Sequence, residues 1–341
     1  MHETLLAPEQ DVVLSGRIRV SRNYQDLPFE PKMTQAYAEE VIRRTSELIF
    51  QTREGSAFTL LHINDLTDDA RNRLAEHHLI STELLKNDRY AAAMVSSAGT
   101  VTVMLNEADH VRSQGLLPGL QLERSADMAL KIDELLNARY ALAFDDQWGY
   151  LSSNPANVGT GMRGSVILHL PALTEAHQIP TIVQTVTKWG LTLHGMNGDK
   201  NESGGQLYQL FNADTLGRSE TDIVSNLTTV ATQIAQAERG AREIAEKQDM
   251  LQLKDRLMRS WGSCMYALLM DAKEFMSIYS DIRYAICMGY LHAPLSALDA
   301  LMMDLQPGSL AVRAGKLLGE RESEICRAQM FREELKKIVM E

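Results

Sequence analysis

The spacing of apolar residues changes once along this chain, near residue 217, and that change limits its fold more than any single motif. Before it, alternating and helical patterns are interleaved. Residues 11–20, 57–64, 89–96, 100–106, 140–144, 165–169 and 206–212 read as strands, several of them β-branched and alternating. Residues 34–50, 68–77, 122–137 and 179–188 carry helical spacing, with Asp65 or Thr67 placed to cap the second of these and Pro180 tolerable in the first turn of the last. After residue 217 only helical spacing persists, over 219–248, 251–270, 273–280, 296–305 and 320–339. Ser219, Glu220, Thr221 and Asp222 supply capping residues for the first. The expectation is a mixed α and β domain over 1–217 followed by an all-helical domain over 218–341.

Length agrees with that division, since 341 residues exceed one ordinary core. The formal net charge of -11 argues against a nonspecific nucleic-acid binder, which needs a basic face to displace counterions. The acidity is uneven. Residues 218–341 hold 16 Lys+Arg and 18 Asp+Glu, which leaves 18 and 27 for the first part, net -9. No apolar run approaches the ~20 residues of a membrane helix. The N-terminus lacks a basic region followed by an apolar stretch. Three cysteines without a CxxC spacing read as reduced thiols of a cytoplasmic protein.

Within the first part, five segments concentrate chemistry. Arg17 and Arg19 stand at i, i+2 on one side of a strand, with Arg22 following. Asn106, Glu107, Ala108, Asp109, His110 and Arg112 gather acidic, imidazole and guanidinium groups at the end of another strand. Asn154 to Arg163 is a Gly/Asn/Pro turn that sets an arginine before an apolar strand, and its glycines permit close backbone approach to a ligand. His194 to Glu202 is glycine-rich. His77 and His78 close a helix. Each has a plain structural reading: a solvated strand face, a buried histidine, a tight connection, a helix cap favoured by the dipole, a flexible loop. Planar, permanently charged arginines on separate strands suit a polyphosphate. Composition and spacing stop at an anion-binding protein of mixed α and β structure, with no Walker loop, Rossmann fingerprint or metal-ligand spacing.

Taken in order, these segments resemble the guanidino kinases, most closely the bacterial protein-arginine kinases. The matching stretches are VVLSGRIRVSRNYQDLPF (12–29), LAEHHLIS (74–81), LNEADHVRSQ (105–114), GYLSSNPANVGTGMRGSVILHLPAL (149–173) and LYQLFNADTLGRSETDIV (207–224). A weaker match, AGKLLGERESEICRAQMFREEL, covers 314–335. The resemblance implies an α+β fold, an antiparallel sheet flanked by helices, with a helical domain behind it for dimerisation and regulation. It implies transfer of the ATP γ-phosphoryl group to arginine side chains of proteins, with Mg²⁺. It places ATP against Ser15, Arg17, Ile18, Arg19, His78, Arg112, Arg163, Gly164, Ser165, Val166, His194 and Gly198. Glu107 would touch the Mg²⁺ shell through water. Arginine-containing protein substrates, a homodimer, a zinc-containing adaptor and the Clp unfoldase machinery are the partners it implies.

Four positions depart from the family pattern. The family's NEEDH has a second glutamate on the guanidinium, acting as base, where this chain has Ala108; on a strand, Glu107 and Asp109 would point to the opposite face and not replace it. A family cysteine is Asn154, an arginine opening the flexible loop is His194, and a glutamate is the shorter Asp199. The C-terminal phosphoarginine-sensing motif RDxxRA also loses its first arginine, at Ser323. The four ATP-side arginines stay, while groups acting on the guanidine weaken. Two readings follow: a working protein-arginine kinase, and a catalytically impaired ATP-binding pseudokinase acting as a regulatory partner. Loss of a general base, typically ~10²–10⁴-fold in rate, weighs toward the second.

Overall fold

A computed structural model describes residues 7–30, 32–86, 90–196 and 204–339. Its strands are β1 (Val13–Arg22), β2 (Phe58–His62), β3 (Ala92–Ser96), β4 (Val101–Leu105), β5 (Val111–Pro118), the short pair β6 (Phe144–Asp145) and β7 (Gly149–Tyr150), β8 (Met162–His169), β9 (Leu191–Gly195) and β10 (Leu207–Asn212). The helices are α1 (Gln35–Phe50), α2 (Asp68–Glu76), α3 (Thr82–Lys86), α4 (Leu122–Arg139), α5 (Pro171–Glu175), α6 (Ile179–Thr187), α7 (Glu220–Tyr266), α8 (Ala272–Cys287), α9 (Leu295–Asp304), α10 (Pro307–Ala314) and α11 (Glu320–Ile338).

Among the described residues, eight strands form one sheet in the order β2-β3-β4-β5-β1-β8-β10-β9, with antiparallel pairing throughout. The expected antiparallel sheet with flanking helices and a helical C-terminal region is what the chain forms. β1 is central because its alternation serves two layers at once. Gly16, Ile18 and Val20 face a buried layer, and Ser15, Arg17 and Arg19 face the other side.

On the first side, Ile18, Val20, Val166 and Leu168 pack against α4 and the first half of α7, through Ala126, Ala129, Leu227, Ala231 and Ile234. Ser219 caps α7 with a full capping box to Asp222. Close approach here demands glycine at two places. A Cβ on Gly115 of β5 would run into the Ser125 carbonyl of α4, and one on Gly164 of β8 into the Leu227 side chain of α7.

On the second side, the end of the sheet carrying Leu14, Ile167 and Leu207 is covered by the second half of α7 and by α8 to α11, through Phe275, Ile278, Leu298 and Phe331. The attachment is also ionic. Arg283 of α8 is fully buried and donates to the Gln10 and Asp11 carbonyls (2.6 and 2.9 Å) and to Asp299 of α9 (2.9 Å). α7 loses helical geometry at Asp249, whose side chain accepts from Gln252 N–H (2.9 Å) and restarts the helix. The three cysteines form no disulfide.

Several elements depart from the sequence reading. Residues 140–144 are not a strand: Leu142 makes one isolated bridge to Tyr24, and pairing begins only at Phe144. Residues 106–110 do not continue β4. They form the β4–β5 turn, begun by Asn106 in the left-handed region (φ 57°), so strict alternation across Glu107, Ala108 and Asp109 does not apply. β5, β9, α3, α5 and α10 were not anticipated. β5 is the notable one, a buried inner strand whose Arg, Ser, Gln and Gly hide its periodicity.

The tight α4 contact predicts that Gly115→Ala lowers the unfolding free energy by about 1–3 kcal/mol, as overpacking does. Urea denaturation followed by circular dichroism measures it, and an unchanged midpoint would refute the close approach.

Candidate active site

The uncovered part of the second sheet face is built from β1, β5 and β8. Strand register puts Arg19 opposite Arg163 on one neighbour and Gln114 on the other, and Arg17 opposite Ser165 and Leu116. Arg17 Nε donates to Ser165 Oγ at 3.3 Å. Arg112 ion-pairs with Glu107, which also accepts from Ser81 Oγ. Among the described residues, Arg163 reaches only two long contacts, to the Ala156 and Ala213 carbonyls (3.4 and 3.5 Å). Nε of Arg19, Arg112 and Arg163 is buried without a hydrogen-bond partner among the described residues. Buried polar groups are ordinarily paired, and each left unpaired costs about 1–3 kcal/mol.

The guanidinium groups act on one another. Burial first, then Arg112, pushes Arg17 down to about 10. Burial, Arg112 and Arg17 also push Arg19 well down, and burial and Arg112 lower Arg163. Four cations sharing one face with a single buried carboxylate, Glu107, form a site for a multiply charged anion.

His78 closes the end of α2 in the left-handed region (φ 57°), and its carbonyl accepts from Gln114 Nε2 at 2.7 Å. Burial, then Arg17, holds its imidazole down at about 3, so it is neutral beside the arginines. Next to it lies a cavity of about 360 Å³, lined by Ser15, His78, Leu79, Leu116 and Pro118, and closed by Ala300 and Met303 of α9. Its mainly apolar wall beside a cationic face matches a nucleoside attached to a polyphosphate. Glu76, two residues before His78, accepts from Gly308 N–H, Ser309 N–H and Ser309 Oγ, each at 2.7 Å. The helical region therefore holds the end of α2 in place.

The β4–β5 turn borders the arginines. Asp109 accepts from Asn23 Nδ2 (2.7 Å), Ser152 Oγ (2.7 Å) and Ser153 N–H (2.9 Å). His110 Nδ1 accepts from Tyr24 N–H, so its Nε2 carries the proton and donates to the Pro28 carbonyl, both at 3.0 Å. His110 is a structural histidine. Ala108 is half-buried between these anchored neighbours.

With this geometry in view, comparison with known proteins is decisive. The family model "ATP:guanido phosphotransferase, C-terminal catalytic domain" matches residues 40–241, and "Protein-arginine kinase McsB C-terminal domain" matches 250–341. A protein-arginine kinase of Caldanaerobacter subterraneus subsp. tengcongensis is 41% identical over 98% of this chain and 99% of its own. This chain belongs to the ATP:guanido phosphotransferase family. Within it, a second protein-arginine kinase, of Brevibacillus brevis, is 39% identical over 96% of this chain and 93% of its own. A lombricine kinase crystal structure shares the fold with a TM-score of 0.58 at 22% identity, over 69% of each chain.

Of the positions that the family resemblance singles out, the fold gathers Ser15, Arg17, Arg19, His78, Glu107, Arg112, Arg163 and Ser165 on one face. Ile18 and Val166 turn their side chains into the opposite core, Gly164 has none, and all three offer that face only backbone. Asn154 is exposed and uses its amide oxygen to cap residues 155–157, accepting from Ala156 N–H at 3.0 Å. His194 lies on edge strand β9 in the row of Ser15, Ile167 and Gln209. Its Nδ1–H donates to the Gly195 carbonyl (3.0 Å), and its ring meets Phe211 edge-on. Gly198 and Asp199 lie outside the described residues. Sequence reasoning overlooked Ser81 and Gln114. Ser81 had a signal, since it caps α3 by accepting from Leu84 N–H (3.1 Å); Gln114 had none without β5.

Burial also lowers His110 and His169. Histidines held neutral in the fold protonate once released, so their contribution is present above the unfolded value of about 6.5 and is lost as pH falls below it. Urea midpoints should therefore drop between pH 7 and 5, and drop less steeply in His78→Gln. Equal slopes in the two proteins would refute a His78 held neutral in the fold.

Proposed function

We infer that this chain is a working protein-arginine kinase, transferring the γ-phosphoryl group of ATP to arginine side chains of proteins. The observation that carries this is the trio of buried, unpartnered guanidinium Nε groups on Arg19, Arg112 and Arg163. A polyphosphate supplies the acceptors they lack. The near full-length similarity to protein-arginine kinases supplies the phosphoryl acceptor class.

Guanidine is a poor nucleophile because its lone pairs are delocalised and it is protonated. The site must align it with the γ-phosphate, accept a proton and balance developing charge. Arg17, Arg19, Arg112 and Arg163 hold phosphate oxygens and stabilise charge on the transferring group. His78 and the cavity behind it take the nucleoside. Mg²⁺, when bound, neutralises phosphate charge. A single carboxylate, Glu107, suits a cation held mainly by phosphates and water.

Cytoplasmic location, a homodimer, a zinc-containing adaptor and the Clp unfoldase machinery complete the proposal. Exposed Leu251, Tyr266, Leu268 and Leu317 on the helical region supply apolar surface for such contacts. No described helix is long and apolar enough to cross a membrane. A division between catalytic and regulatory parts near residue 217 is also proposed from the change in periodicity. The seating of Ile223–Ala235 on the sheet and the family-model junction between 241 and 250 favour a functional junction further along α7.

The test is incubation with ATP, Mg²⁺ and an arginine-rich protein, scoring acid-labile phosphate on arginine. Transfer is expected, reduced ~10²–10³-fold by Arg163→Ala. ATP binding without transfer would establish the pseudokinase reading in its place.

A further inference from the structure

Deprotonating a guanidinium calls for a carboxylate that is free to take the proton, and Ala108 removes one from the β4–β5 turn. A small cavity of about 90 Å³ opens at that turn, lined by Glu30, Tyr90, Asn106, Glu107, Ala108 and Asp109. Three carboxylates border it, and two are committed. Glu107 is held by Arg112 and Ser81, and Asp109 by Asn23, Ser152 and Ser153. Glu30 is exposed and makes no hydrogen bond or ion pair among the described residues. Its placement is nonetheless defined. His110 accepts from Tyr24 N–H and donates to the Pro28 carbonyl, and Phe29 meets the His110 ring edge-on at 5.7 Å. The segment leading to Glu30 is thereby fastened to the same turn that carries Ala108. Through Glu107 and its partner Arg112, this cavity adjoins the arginine face.

We propose that Glu30 is the carboxylate that holds and deprotonates the substrate guanidinium in this chain. This rests on the kinase reading above. The substrate arginine enters the cavity with one terminal nitrogen toward the phosphates. That nitrogen gives a proton to the Glu30 carboxylate and its electron pair forms the N–P bond. The bond from γ-phosphorus to the β,γ-bridging oxygen breaks, and ADP leaves with that electron pair. Glu30 then releases its proton to solvent.

The experiment compares the full chain with Glu30→Gln, Ala108→Glu and the double variant. It measures kcat on an arginine-rich protein, affinity for ATP, and affinity for an arginine-containing peptide by calorimetry. Glu30 is exposed, so the glutamine variant keeps its unfolding midpoint. The expected result is a ~100-fold lower kcat and weaker peptide binding in Glu30→Gln, with ATP affinity unchanged and kcat raised at least ~10-fold on adding Ala108→Glu. If the unchanged protein turns over and Glu30→Gln matches it within ~2-fold, Glu30 has no such role while the kinase reading stands. ATP binding with no turnover by the unchanged protein overturns both.

Discussion

Everything at the candidate site depends on four guanidinium groups being forced onto one face of a sheet. Strand register does the forcing: β1 places Arg17 and Arg19 two residues apart, and antiparallel pairing sets Arg163 beside Arg19. Like charges held this close, partly dry, are unfavourable by themselves, as the downward shifts of Arg17, Arg19 and Arg163 show. Glu107 offsets part of the cost. The remainder is balanced by the opposite face, where Ile18, Val20, Val166 and Leu168 join an extensive apolar cluster. The core buried on one side is what allows an arginine cluster to be held ready on the other.

The helical region is a structural part of that site. Arg283 reaches under the start of β1, Glu76 joins the end of α2 to the start of α10, and α9 closes the cavity beside His78. Movement of α9 or α10 would therefore reach the cavity beside His78 directly. Such a linkage lets events in the helical part bias the affinity of the sheet for an anion held on that face.

The turn after β4 is held by anchors on both sides of Ala108. Asp109 and His110 fasten this turn to two other loops, at residues 23–28 and 152–153. None of these anchors runs through the Ala108 side chain, and the nearby segment leading to Glu30 is held by the same turn.

Much of this was legible in the sequence for physical reasons. The alternation around Arg17 and Arg19 fixes which side chains share a face, because successive residues on a strand point oppositely. Ser219 and Asp222 announce the start of α7, and Thr67 caps α2 as one of two candidates. The family resemblance is carried by short ordered segments and needs no coordinates. What the sequence could not decide is whatever depends on partners far along the chain. β5 was hidden because its polar residues are satisfied by strands and helices on both sides. The strand alternation assumed across Glu107, Ala108 and Asp109 fails because a left-handed Asn106 turns the chain there. Whether a carboxylate stands near Ala108 is likewise a matter of tertiary structure, since Glu30 is far off in sequence and is brought there by His110. By itself the sequence determined which chemical groups exist and which local segments hold them. Only the packing of distant segments, driven by burial of the apolar faces between them, decided which of those groups meet.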